Sequence, residues 1–355
     1  MLTFDAHLDL SLNAIEYNRD LRLSIDEIRA AEAGKTDLWG RANGTVSFPE
    51  MRKAGIGLCV ATQLAGCMKP PAPVGAWNSP PQARAMTQAQ LAWYRYMEEE
   101  GELRQVRNWP EIESHLNEWK ADPAKCPIGY LLSLEGADSI RTLADLESSY
   151  QDGLRALGPA HYGKGRYALG HDQEGPLSDM GRELLREMDR LGIILDATHL
   201  CDQTFWDALE VFTGPVWASH HNARTLVDDP RQLNDDQIKA LAERGAVIGM
   251  AFDVWMIVSD WERGVTKPTD RPDATLEAAA NHIDHICQLL GTSKHCGIGT
   301  DLDGGFGNEQ CPGDMNTIAD LQTFHDTLAK RGYSEDDLKG IFHANYLNFL
   351  KHAWS

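Results

Sequence analysis

Residues 178–199 read SDMGRELLREMDRLGIILDATH, and this stretch holds the unit from which the whole chain is built. Ser178 stands where a helix N-cap is wanted. Leu184, Leu185, Met188 and Leu191 then share one stripe of a 3.6-residue period, with charged residues between them. Gly192 ends the helix as a C-terminal glycine does. Residues 192–198 (GIILDAT) follow at once as a short apolar run of strand length. A helix that leads straight into a buried strand is half of a β-α-β crossover, and such crossovers build parallel sheets. The strand runs into His199, an ionisable residue at its C-terminal end.

The same kind of run recurs at 2–7, 57–64, 128–134, 154–160, 214–219, 246–252 and 296–300, which with 192–198 makes eight. Helical patterns lie between them at 203–212, 234–244, 273–290 and 315–331. Eight strand–helix units predict an α/β fold, the closed (β/α)8 or TIM barrel, with an open doubly wound sheet as the alternative. A length of 355 residues suits one such barrel with insertions, so 1–355 is expected to be a single domain. The long insertions follow the first two strands, at 10–56 and 66–125. The second contains KPPAPVGAWNSPPQA (69–83), which reads as loop from its prolines and glycine. The tail 335–350 is helical in pattern and apolar on one side, so it should pack on the barrel.

Composition excludes several roles. Acidic residues outnumber basic ones 53 to 33, a net charge of −20, which repels a phosphate backbone and argues against nucleic acid as a partner. The seven cysteines are scattered without a CxxC pair, as expected for reduced thiols in a cytosol. No secretory signal is visible, and no apolar run reaches the roughly 18 residues of a membrane span. The expectation is a cytoplasmic protein that binds neither nucleic acid nor membrane.

The ends of the runs carry the chemistry. His7 and Asp9 close the first, in FDAHLDL (4–10), and Glu135 closes the third. His161, His199, the pair His220–His221 and Asp301 follow the fourth, fifth, sixth and eighth. Catalysis in such barrels sits at that rim. Each residue alone has a plain explanation, such as a buried histidine bonded to a carboxylate. Together they point to a metal site, because imidazoles and carboxylates suit zinc or a similar divalent ion. Three histidines with Asp9 and Glu135 exceed what one tetrahedral zinc takes. Two ions about 3.5–4 Å apart with a shared carboxylate fit better, and they would lower the pKa of a bound water to about 7. Asp301 is left over as a proton shuttle.

Five motifs carry a family resemblance: HLD at 7–9, SLEGADSI at 133–140, DATH at 196–199, SHHNAR at 219–224 and GIGTDLDG at 297–304. In order and spacing they resemble the membrane (renal) dipeptidase family, the M19-type metallopeptidases of the amidohydrolase superfamily, from residue 4 to about 350. The resemblance implies a dipeptidase with two Zn2+ ions, a small dipeptide substrate and a homodimer. It makes His7 and Asp9 ligands of one zinc, Glu135 the bridge, and His199 and His220 ligands of the second, choosing His220 over His221. It makes His161 the group that polarises the scissile carbonyl and Arg231 the grip on the substrate carboxylate. Asp301 becomes the acid/base that serves a metal-bridging hydroxide, and Asp303 is structural.

The chain departs from the family pattern at Leu12, where a tryptophan is usual nearby, and at Asp253, where a tyrosine is usual. The closing helix has His343, Ala344 and Asn345 in place of Gly-Gly-Asn. Asp253 would favour a cationic substrate side chain, or it is a solvated group or helix cap. Rival functions remain: an amidohydrolase acting on N-acyl amino acids or another carboxylate-bearing amide or ester, or a metal-stabilised barrel that only binds a partner. GKGRYALG (163–170) is no P-loop, since no Ser or Thr follows its GK, and reads as a mobile active-site loop. His282, His285 and His295 are expected to be structural and Cys201 unactivated; Trp206, Trp217 and Trp255 read as packing residues, with a pocket wall as the alternative for Trp255.

Overall fold

A computed structural model, which describes residues 1–67 and 75–354, turns the eight runs into eight parallel strands. They are β1 (Thr3–Leu8), β2 (Ile56–Leu64), β3 (Ile128–Glu135), β4 (Leu154–Gly158), β5 (Ile194–Asp196), β6 (Val216–Trp217), β7 (Ile248–Met250) and β8 (Cys296–Ile298). Their ladder runs β7-β8-β1-β2-β3-β4-β5-β6. One parallel bridge, Ala218 with Ile248, joins β6 to β7 and brings the ring round to closure. This is the (β/α)8 barrel, and the open sheet is excluded.

Strands β5 to β8 are shorter than their apolar runs. At β5 the reason is local. Gly192 takes the left-handed φ of 71° that caps the preceding helix, Asp179–Leu191. The backbone N–H of Ile193 still donates to Met188 in that helix. At the other end the Asp196 carboxylate accepts from the N–H groups of Thr198 and Ser219, which turns the chain out of the ladder.

The insertions hold more structure than expected. Residues 10–56 contain helices Leu10–Ile15, Ile25–Glu32 and Phe48–Lys53. Within KPPAPVGAWNSPPQA, residues 69–74 lie outside the described residues. Ala76–Trp77 pairs in parallel with Gly66–Cys67, and Pro80 opens a helix of 20 residues, Pro80–Glu99. The loop expectation fails there because proline is accepted in a helix's first turn, where no N–H partner is needed. Leu103–Gln105 adds an unforeseen strand outside β3.

Apolar packing closes the barrel at the end where its strands begin. Phe4, Leu58, Leu131, Ile194 and Trp217 meet Tyr346 and Leu350 of the closing helix Asn345–Ala353. Phe4 and Tyr346 stack with ring centres 4.9 Å apart. A Cβ at Gly297 would lie 2.2 Å from the Tyr346 ring, so only glycine admits that tyrosine. At the opposite rim a buried polar knot ties the first insertion to the loop after β8. The Asp303 carboxylate accepts from Thr45 and Val46 N–H and from Arg19, which also pairs with Glu32. Among the described residues no helix is long and apolar enough to cross a membrane.

Candidate metal centre

The C-terminal rim gathers residues from five strands. His7 lies within β1 and Asp9 just past it, and Glu135 is the last residue of β3. His199, His220 and Asp301 each stand three residues beyond β5, β6 and β8. His199 and Asp301 hold left-handed φ of 67° and 58°. For a residue with a side chain that costs on the order of 1–3 kcal/mol, and it persists where the surroundings fix it. The Asp196 turn after β5 and the Asp301–Gly304 turn after β8 impose it here.

Glu135 stands at the centre. Its Oε2 lies 3.6 Å from His7 Nε2, while its Oε1 lies 3.2 Å from His199 Nε2 and 3.4 Å from His220 Nε2. His7 Nε2 is 3.8 Å from both Asp9 Oδ2 and Asp301 Oδ1. The two nitrogens of His199 and His220 face each other at 3.2 Å. These are the spacings of atoms around a common centre. Donors about 2.0–2.1 Å from a tetrahedral ion lie about 3.3–3.4 Å from one another. Two triads meet the condition separately, His7–Asp9–Glu135 and Glu135–His199–His220, with Glu135 in both; His7–His220–Asp301 forms a third.

The other ring nitrogens have partners that hold the rings in place. His220 Nδ1 bonds Ser219 Oγ at 2.9 Å, and His199 Nδ1 bonds His171 Nδ1 at 3.1 Å. Both Nε2 atoms face the cluster, and with the proton on Nδ1 each offers it a lone pair. Burial holds the His199 and His220 imidazoles well below their ordinary pKa, so both are neutral, the form that binds metal. Burial pushes His7 down as well, but the Glu135 and Asp9 carboxylates outweigh it and the net shift is upward. Burial, with Glu135 and Asp9 adding to it, holds Asp301 well above the carboxylate range. His7 Nε2 and Asp9 Oδ1 are buried without a hydrogen-bond partner. Among the described residues no lysine or arginine pairs with Asp9, Glu135 or Asp301. The donor set fits divalent cations: neutral imidazoles and carboxylates converge, and positive charge is what the nest lacks.

The centre opens into a cavity of about 640 Å3. His161 lies on its wall with its ring 4.6 Å from that of His199, and burial holds its pKa below the usual value. Arg231 also lines the cavity, 1 % exposed, and donates to the backbone oxygen of His220 at 3.1 Å. Its Nη1 has no partner, and it forms no ion pair among the described residues. Leu12, Trp255 and Asp253 also line the cavity. Asp253 is neither solvated nor a side-chain helix cap: its oxygens accept from Trp255 Nε1 at 2.6 Å and Gln310 Nε2 at 2.8 Å. Arg263 stands 3.7 Å away from it.

Other sequence candidates fall elsewhere. His221 is buried with both ring nitrogens unbonded and stays outside the ligand triads. His282 accepts from Ala223 N–H, His285 pairs with Asp235, and His295 bonds Ala246 O. Lys164 and Arg166 are exposed, on a segment tied down by Arg166 N–H to Asp138. Sequence reasoning missed His171 and Arg263. Neither sits at a strand end, and no spacing marks them.

Comparison with known proteins agrees with this barrel. The sequence model of the membrane dipeptidase family, peptidase family M19, matches residues 1–354. Dipeptidase tcpJ of Claviceps purpurea is 28% identical over 234 residues, 63% of this chain and 51% of that protein. The chain spans about half the length of several curated dipeptidases that it matches. The crystal structure of dipeptidase AC, a metallopeptidase of family M19, superposes with a TM-score of 0.79 at 23% identity, over 100% of this chain and 99% of that one. A Rhodobacter sphaeroides metallopeptidase, solved with a phosphinate mimic of the dipeptide L-Ala-D-Ala, gives 0.78 at 21% identity, over 100% and 99%. At these identities the two structures establish the shared barrel, and the family match over residues 1–354 makes the chain a member of the membrane dipeptidase family, peptidase family M19.

Proposed function

We propose that the protein is a metal-dependent dipeptidase that holds two zinc ions at this rim. One observation carries the proposal: the two oxygens of Glu135 face two different histidine groups, as a carboxylate shared by two cations must. His7 and Asp9 would hold one ion, His199 and His220 the other. Such a pair activates a water near neutral pH and acts as a Lewis acid on a carbonyl.

The chain's own groups supply the rest. Neutral His161 offers an N–H to the oxygen of the scissile carbonyl as charge develops there. Asp301, whose burial favours the protonated form, carries the proton that the leaving amine needs. Arg231 binds the free carboxylate of the substrate, which limits substrates to very short peptides. The relatives named dipeptidases support this assignment.

The test joins metal analysis to a hydrolysis screen of dipeptides, N-acyl amino acids and dipeptide amides. About two zinc equivalents per chain, loss of turnover on chelation and preference for free dipeptides are expected. A zinc-loaded protein that cleaves amides or N-acyl amino acids as readily would overturn the assignment.

A further inference from the structure

Asp253 invites a cationic substrate, but its surroundings reverse that sign. The Asp253 side chain is 4% exposed and the Arg263 side chain beside it is 35% exposed. Both Asp253 oxygens already accept hydrogen bonds, from Trp255 and Gln310. The charged face that this wall turns to the cavity is therefore Arg263. It is held in place from three sides. Its Nη1 donates to Tyr162 Oη at 3.2 Å, its Nη2 lies 3.7 Å from Asp253, and its guanidinium carbon sits 5.4 Å from the Trp255 ring centre. A lysine or arginine side chain entering here would meet a fixed cation before it reached Asp253.

The same cavity holds Arg231, a second guanidinium, which pairs with no carboxylate among the described residues. The cavity lining thus carries two guanidinium groups, and only one is needed for the C-terminal carboxylate of a dipeptide.

We propose that Arg263 reads a second carboxylate, so that the preferred substrates are dipeptides with an aspartate or glutamate side chain. This rests on the dipeptidase assignment and adds the substrate class. Arg263 touches the substrate and sets specificity. Because it is partly exposed and shares its charge with Asp253, the lower end of charge-assisted bonding applies, a preference of about tenfold.

The experiment compares isosteric pairs, Leu-Glu with Leu-Gln and Glu-Leu with Gln-Leu, and uses Leu-Leu as the neutral reference. Wild type should favour the acid about tenfold in kcat/KM in at least one pair, mainly through KM, and the preference should shrink as salt rises. The responding pair tells which side chain Arg263 meets. Arg263→Gln should bring the acid-to-amide ratio near one, while Arg263→Lys should retain part of it. Equal rates for acid and amide in both pairs, or an unchanged ratio in Arg263→Gln, overturn the proposal, and Leu-Leu turnover still upholds the dipeptidase assignment. If no dipeptide is cleaved, that assignment falls. Calorimetric binding of the same four dipeptides to the metal-loaded protein then reads the preference: tighter binding of an acid, lost in Arg263→Gln, supports it, and equal affinities overturn it.

Discussion

Replacing Arg231 with methionine should make the protein more stable and its substrate binding worse. Arg231 is 1 % exposed, and its guanidinium makes one hydrogen bond to a backbone oxygen, at 3.1 Å, with no ion pair among the described residues. Removing a charge of that kind from water costs several kcal/mol after relaxation. The bond to His220 O returns about 1.5–3 kcal/mol. Arg231→Met keeps the apolar stem and most of the volume, so the substrate-free protein should gain about 1–3 kcal/mol. In a chain of 355 residues that is a rise in Tm of roughly 1–4 °C. The loss appears with substrate. Deleting one partner of a buried carboxylate–guanidinium pair costs about 2–4 kcal/mol, or roughly 30- to 1000-fold in kcat/KM. Dipeptide amides, which offer no carboxylate, should lose far less. Thermal denaturation of the metal-loaded protein and kinetics on a dipeptide and its amide read both effects. A Tm lowered by several degrees together with intact acid-over-amide discrimination would show that Arg231 is a structural group, and the reasoning would fail.

Three further outcomes follow from the same geometry. Asp301→Asn should lower turnover about 100- to 10,000-fold with metal content unchanged by elemental analysis, whereas loss of metal would make Asp301 a ligand. His171→Phe removes the partner of His199 Nδ1, so zinc affinity measured by chelator competition should weaken about 10- to 100-fold and recover in part in His171→Asn; an unaltered affinity would dismiss the orienting role. Burial raises the Asp253 carboxyl from 3.8 to about 6. The folded protein therefore keeps that proton where the unfolded chain has lost it. The contribution is fully present below pH 3.8 and is lost as pH rises through 6, a change of up to about 3 kcal/mol. Urea titrations of wild type and Asp253→Asn from pH 3.5 to about 7 should differ by that slope, and identical slopes would count against it.

The sequence by itself determined the barrel and the centre of its site. Strand and helix periods are local properties, so GIILDAT and its seven counterparts were legible one at a time. The site was legible through them, because a parallel barrel brings the C-terminal ends of all its strands to one rim. His7, Glu135, His199, His220 and Asp301 had to approach each other once they stood at those ends. Tertiary structure decided what stands between strands. Pro80 opens a helix because its missing N–H falls where no partner is needed. Asp253 meets Gln310 across 57 residues, and Arg263 meets Tyr162 across 101, through loops whose paths follow no period. The sign of the charge that this part of the lining turns to the cavity therefore depends on which of two neighbouring groups is buried, and burial is set by packing among distant segments.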